Sequence, residues 1–148
     1  MEIIFLIKKI PAHPKSIGKD VWMLLDSGLV KYLMKSDPGE GATLSLARHK
    51  ILQELFSHLE YQKGRFPVYH YRSAKGSPID FISEDEECAV KIIVQGRGSS
   101  KGTGWYERPL AGAVKTLNLK RGFLVSPISD IEIPKNTGIG LLPWSYWS

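Results

Sequence analysis

Pro78-Ile79-Asp80-Phe81-Ile82-Ser83, the acidic turn Glu84-Asp85-Glu86, and then Glu87-Cys88-Ala89-Val90-Lys91-Ile92-Ile93-Val94 form the stretch on which the reading of this chain depends. Both apolar runs are short, rich in β-branched residues and bounded by polar ones, which predicts two strands paired as antiparallel neighbours. Period two puts Asp80 and Ile82 on one face and Ile79 and Phe81 on the other. On the second strand Ala89, Lys91 and Ile93 share a face, and a tight turn brings Ala89 roughly opposite Asp80. Asp80 and Lys91 are thereby expected as neighbours.

Immediately upstream, Phe66 to Arg72 is a third strand candidate, so the three runs read as an antiparallel meander. Before them Leu44, Ala47, Ile51, Leu52, Leu55 and Leu59 recur at helical spacing, predicting a helix over residues 43–62. Arg48 falls within that apolar stripe. A guanidinium there is not placed for free solvation, so it either snorkels outward or meets an anion inside.

Further upstream, Ile3 to Ile7 and Val21 to Leu25 read as buried strands joined through Pro11, Pro14 and the polar run Lys15 to Lys19, a hairpin with a long tip. Asp26 precedes a short helical segment from Gly28 to Met34, where its side chain is better read as a cap than as a catalytic group. Asp37-Pro38-Gly39 ends that helix.

Downstream, the glycine-rich segment 96–104 follows a strand as a phosphate loop should. A phosphate loop, however, needs Ser or Thr directly after its lysine, and Gly102 follows Lys101, so a surface loop is expected. Tyr106 to Leu117 then reads as a helix interrupted near its start by Pro109. The short runs Gly122 to Ser126, Ile131 to Ile133 and Ile139 to Leu142 read as strands. The order strand, helix, strand suggests a crossover connection.

With 148 residues, 43% of them hydrophobic and 24% charged, the chain is sized for one α/β domain: a hairpin over residues 1–25 and a core over 26–148. The opening apolar run meets Lys8 and Lys9 too soon for a signal peptide or a membrane span. A single cysteine, Cys88, excludes an intrachain disulfide, and the four histidines show no zinc-site spacing. A soluble cytoplasmic protein is the expectation. Cys88, His70 and Tyr71 read as plain strand residues, and Trp144 and Trp147 either plug a core edge or stack on a partner.

The net charge of +5 favours a polyanionic partner only weakly. Its distribution says more. Lys91, Arg97, Lys101, Arg108, Lys115, Lys120 and Arg121 are opposed between residues 91 and 121 only by Glu107. Arg97, Lys101, Arg108 and Lys115 are the candidates for contact with nucleic acid, and a merely solvated face is the competing reading.

An aspartate on one strand, a lysine on the next and a helix in front form the skeleton of a metal-dependent nuclease site of the PD-(D/E)xK type, where two carboxylates bind magnesium and the lysine helps activate water. In this respect the chain resembles the C-terminal domain of unknown function of prokaryotic AAA-superfamily ATPases, over nearly its whole length. The matching segments are Lys19-Asp20-Val21-Trp22-Met23-Leu24-Leu25-Asp26-Ser27-Gly28-Leu29, Tyr71-Arg72 with Gly76, Ile79-Asp80-Phe81, Val90-Lys91, Arg121-Gly122-Phe123-Leu124-Val125-Ser126 and Leu142-Pro143-Trp144.

The resemblance implies a restriction-endonuclease-like mixed sheet flanked by helices, with Asp80 and Lys91 at the catalytic positions. Three carboxylates of the pattern are missing: Arg48 stands where the helix usually offers a glutamate, Pro78 where the aspartate segment begins with Glu, and Ala89 where the lysine segment begins with Glu. The site is therefore expected to be vestigial, without metal or cofactor, and Arg48 is expected to pair with Asp80 in place of a metal ion. The domain then binds a partner, nucleic acid or protein, without cutting it. Two other readings stay open: an active magnesium-dependent nuclease with relocated carboxylates (Glu54, or Glu84 to Glu87), and a remnant of an ATPase gene, since no Walker motif is present.

Overall fold

The computed structural model describes residues 7–33, 40–61, 68–74, 78–83, 87–93, 104–127, 131 and 138–147. Its centre is a five-stranded mixed sheet in the order β3-β4-β5-β6-β7, made of β3 (Val68–Tyr71), β4 (Ile79–Ser83), β5 (Cys88–Ile92), β6 (Arg121–Ser126) and β7 (Ile139–Pro143). β3, β4 and β5 are antiparallel, as the meander predicts, while β6 and β7 run parallel to β5 and to each other. The change from antiparallel to parallel falls at β5, because the helix α3 (Gly104–Thr116) carries the chain back over the sheet before β6.

Two apolar clusters hold the sheet from its two faces. On one, the long helix α2 (Glu40–Tyr61) sets Ile51 and Leu52 against Val68, Phe81, Val90, Ile92 and Val125. On the other, Leu110 and Ala113 of α3 meet Ile79, Ile82, Ala89, Ile93, Leu124, Ile139 and Leu141. Leu110 is wholly buried, and burial of such a side chain contributes about 1.5–3 kcal/mol. Gly122 makes this contact possible, since a Cβ there would lie 2.7 Å from Ile139 Cδ1 and 3.0 Å from both Leu110 Cγ and Val114 Cγ2.

The helix α3 runs unbroken through Pro109 and closes on Asn118, whose φ of 56° is left-handed. The Leu119 N–H bonds to the Val114 carbonyl (2.9 Å) and the Asn118 N–H to that of Lys115 (3.2 Å), the paired bonds of a Schellman terminus. Asn tolerates the left-handed region better than other non-glycine residues.

A separate two-stranded antiparallel sheet precedes the core: β1 (Ile7–Ile10) with β2 (Val21–Leu24). It starts later than the apolar run Ile3 to Ile7 suggests, and most of that run lies outside the described residues. The expected buried strand at Val21 is also corrected: Val21 and Trp22 are 39% and 66% exposed, because a two-stranded ribbon has an outer face that nothing covers. Among the described residues of this region, Ile10, Met23 and Leu25 reach the α2 cluster.

The connection between β1 and β2 shields the edge of β3. Its backbone bonds to His70 and Arg72 through His13 N–H to His70 O (2.9 Å), His70 N–H to Pro11 O (3.1 Å) and Ile17 N–H to Arg72 O (3.0 Å). Asp26 caps the short helix α1 (Ser27–Leu33), its Oδ1 accepting the Leu29 N–H at 2.6 Å. A 3-10 turn (Trp144–Trp147) follows β7, with Trp144 against the α2 cluster. No helix of the described residues is long and apolar enough to cross a membrane. The proposed strand at Ile131 to Ile133 lies, apart from Ile131, outside those residues.

Candidate functional site: Asp80 between Arg48 and the end of β5

A bulge in β4 decides where Asp80 points. Tyr69 pairs with Ile82 and Tyr71 with Ile79, so β4 spends two residues, Asp80 and Phe81, against the single His70 of β3. Such an extra residue breaks the alternation of a strand and re-aims its side chains. Ile79 and Ile82 consequently pack under α3 while Phe81 packs under α2. The expected grouping of Asp80 with Ile82 and of Ile79 with Phe81 does not survive it.

The register against β5 also differs from expectation. Ala89 lies opposite Ile82, and Phe81 opposite Val90, so Asp80 comes level with Lys91 rather than with Ala89. Glu87, directly before β5, holds a left-handed φ of 48°. Ala89 is wholly buried among apolar residues under α3.

Asp80 itself is buried, its side chain only 6% exposed, and both carboxylate oxygens are engaged. Oδ2 accepts the backbone N–H of Ile92 at 2.7 Å, and Oδ1 lies 2.6 Å from Nε of Arg48. Nε makes no aligned hydrogen bond, so this contact is an ion pair held by charge and proximity. Arg48 reaches the carboxylate from the inner stripe of α2 and keeps a third of its side chain in contact with solvent. Of the two fates open to an arginine in that stripe, it meets an anion.

Lys91 is buried, and by alternation it shares the α3 face with Ala89 and Ile93. Its Nζ donates to the Pro78 carbonyl at 2.6 Å. Burial pushes the Asp80 carboxyl above its ordinary value despite the opposing pull of Arg48, the Ile92 N–H and Lys91. Burial likewise pushes the Lys91 ammonium down, Asp80 opposing and Arg48 assisting. The removal of these charges from water outweighs their mutual attraction, as is usual for buried ion pairs.

The other candidates are scattered. Arg108 and Lys115 are exposed on α3, whereas Arg97 and Lys101 lie outside the described residues. Lys91 is interior and cannot belong to a basic surface, and Lys120 forms an ion pair with Glu87. Glu87 thus sits at the start of β5, away from Asp80 near its end. Glu54 is exposed on α2, and residues 84–86 lie outside the described part. Among the described residues no three His, Cys, Asp or Glu side chains converge as a metal site would require.

Two polar groups at this end of the sheet escaped the sequence reading: the Pro78 carbonyl that receives Lys91, and the buried Ser126 hydroxyl at the close of β6. Neither has a sequence signal, for a carbonyl is present in every residue and a serine in a strand looks like any other. No protein-family model, no curated protein and no solved structure matches this chain.

Proposed function

We propose that the chain is a restriction-endonuclease-like domain whose nuclease centre is vestigial, and that it acts by binding a partner without cleaving it. The observation that carries this reading is the 2.6 Å ion pair of Arg48 with Asp80. A helix in front of a meander, an aspartate on one strand and a lysine on the next are the arrangement that the resemblance implies. Among the described residues the donor set suits no divalent ion: magnesium asks for several hard oxygens, and the one carboxylate described at this site is already taken up by a guanidinium and a backbone N–H. Arg48 supplies the positive charge that a metal would, holding the carboxylate in place while leaving no position for an activated water.

The test is a cleavage assay with duplex and single-stranded DNA and RNA in magnesium or manganese. The wild type is expected to release no product above the Asp80→Ala background. Metal-dependent cleavage lost in Asp80→Ala would overturn the proposal in favour of an active nuclease. A second arm is Arg48→Glu, which places a carboxylate beside Asp80. Magnesium uptake by the folded variant and not by the wild type, read by calorimetry, is the expected result, and no uptake would remove Arg48 from the ligand position assigned to it.

A further inference from the structure

The helix α3 presents a stripe that is exposed among the described residues. At about 100° per residue, Trp105, Arg108, Gly112 and Lys115 fall together on one side of the helix, and Leu110 and Ala113 on the other. The burial agrees: Leu110 and Ala113 are core residues, whereas Trp105 is 62% exposed and Arg108, Gly112 and Lys115 are exposed with it. Arg121, which opens β6 just beyond the helix, is exposed as well. Glu107, the acidic residue of α3, falls off this side.

We propose that this stripe binds a single strand of nucleic acid, an inference that deepens the binding role proposed above and rests on it. An exposed indole offers a face on which an unpaired base stacks irrespective of its identity. Arg108 and Lys115, two turns apart and separated by roughly 10 Å, supply the charge that phosphates require. A strand stacked on Trp105 runs its backbone past Arg108 to Lys115, and Gly112 between them has open space where a side chain would otherwise stand in the way. Duplex is disfavoured because its bases are already stacked. Ribose and deoxyribose strands are bound alike, since the stripe reads charge and ring faces rather than the sugar.

Trp22, also exposed, makes a poorer platform. Lys9 Nζ already sits 5.8 Å from the centre of the Trp22 ring and is paired with Asp20 at 2.7 Å, so that ring is partly covered and its cation neutralised. Trp22 therefore provides the control.

The experiment measures fluorescence anisotropy of labelled oligothymidylate and oligouridylate, each about 15 nucleotides long, with metal chelated and salt varied from about 50 to 200 mM. Trp105→Ala is expected to weaken binding by about 5- to 100-fold and Trp22→Ala to leave it unchanged. Arg108→Ala with Lys115→Ala should flatten the slope of log affinity against log salt by about 1.4. Circular dichroism checks that each variant is folded. Unchanged binding in folded Trp105→Ala and in the double variant would overturn the surface but leave a binding role elsewhere. No binding by the wild type, or a dimer that Trp105→Ala dissolves, would overturn the proposed strand as the occupant. Cutting of the same probe once magnesium is restored, in contrast, would defeat only the non-catalytic reading.

Discussion

Asp80 stands in for backbone in the ladder between β4 and β5: its Oδ2 accepts the Ile92 N–H at 2.7 Å, two residues beyond Val90 of the last regular pair, Phe81 with Val90. The regular pairing of β4 with β5 ends at Phe81 and Val90, and an unpaired Ile92 N–H in that interior would cost about 1–3 kcal/mol. One carboxylate therefore does two jobs, completing the sheet with one oxygen and neutralising a half-buried cation with the other.

These two jobs separate on mutation. Asp80→Ala removes both and is expected to cost about 3 kcal/mol, the low end for breaking a buried pair, because Arg48 can turn partly to water. Asp80→Asn keeps an oxygen for the Ile92 N–H and should cost distinctly less. Arg48→Met combined with Asp80→Asn retains that bond and removes the uncompensated charge, so it should lie closer to the wild type than Asp80→Ala does. Urea midpoints of the variants give the comparison, and a double variant as weak as Asp80→Ala would show that the ion pair itself holds the site together.

The order of elements was legible in the sequence because each rests on a local signal: the apolar stripe of α2, the turn chemistry between strands, and the crossover that a helix between two strands demands. The meeting of Arg48 with Asp80 was legible too, because a cation in an apolar stripe needs an anion and few candidates face it. The bulge was not. The extra residue of β4 lies opposite His70, whose backbone bonds to the segment after β1, and such contacts between residues far apart in the chain leave no local pattern. The exposure of Val21 was likewise hidden, because alternation reveals which residues share a face but not whether anything covers it.

The contact of α3 with β6 and β7 has no spare volume. Gly122→Ala should destabilise the fold by about 1–3 kcal/mol, since the new methyl meets not only the flexible Ile139 tip but also Leu110 Cγ and a methyl of the β-branched, stiff Val114. Gly112→Ala is the control, because nothing lies within 4 Å of a Cβ there, and it should be neutral or slightly stabilising. Equal effects of the two in thermal melts would mean that the close packing around Gly122 does not decide its response, since only Gly112 stands in a helix.

The end of α3 makes a separate prediction. Asn118 holds a left-handed backbone, so Asn118→Gly should be tolerated or mildly stabilising while Asn118→Val should cost about 1–2 kcal/mol. Hydrogen exchange of the Leu119 amide reports on the same terminus. It should quicken in Asn118→Val and stay slow in Asn118→Gly, and indifference to both would contradict the assignment of that bond as the helix stop.

The buried charges make stability depend on pH with a sign that can be worked out. Asp80 has a folded value above its ordinary 3.8, so just above that pH the folded chain holds a proton that the unfolded chain has lost. Stability contributed by this group is accordingly present in acid and falls as pH rises from about 3.8 through the raised folded value. Lys91, lowered from 10.5, acts in the alkaline range: its contribution rises with pH from the depressed folded value toward 10.5, because there the unfolded chain binds the extra proton. Other carboxylates obscure the raw acid limb, so the useful quantity is the difference between the wild type and Asp80→Asn across a pH series of urea titrations. The advantage of the wild type should shrink as pH rises above about 4, since Asn mimics the protonated form and never charges. A difference that grows with pH instead would mean that Arg48 and the Ile92 N–H stabilise the Asp80 carboxylate by more than its burial costs.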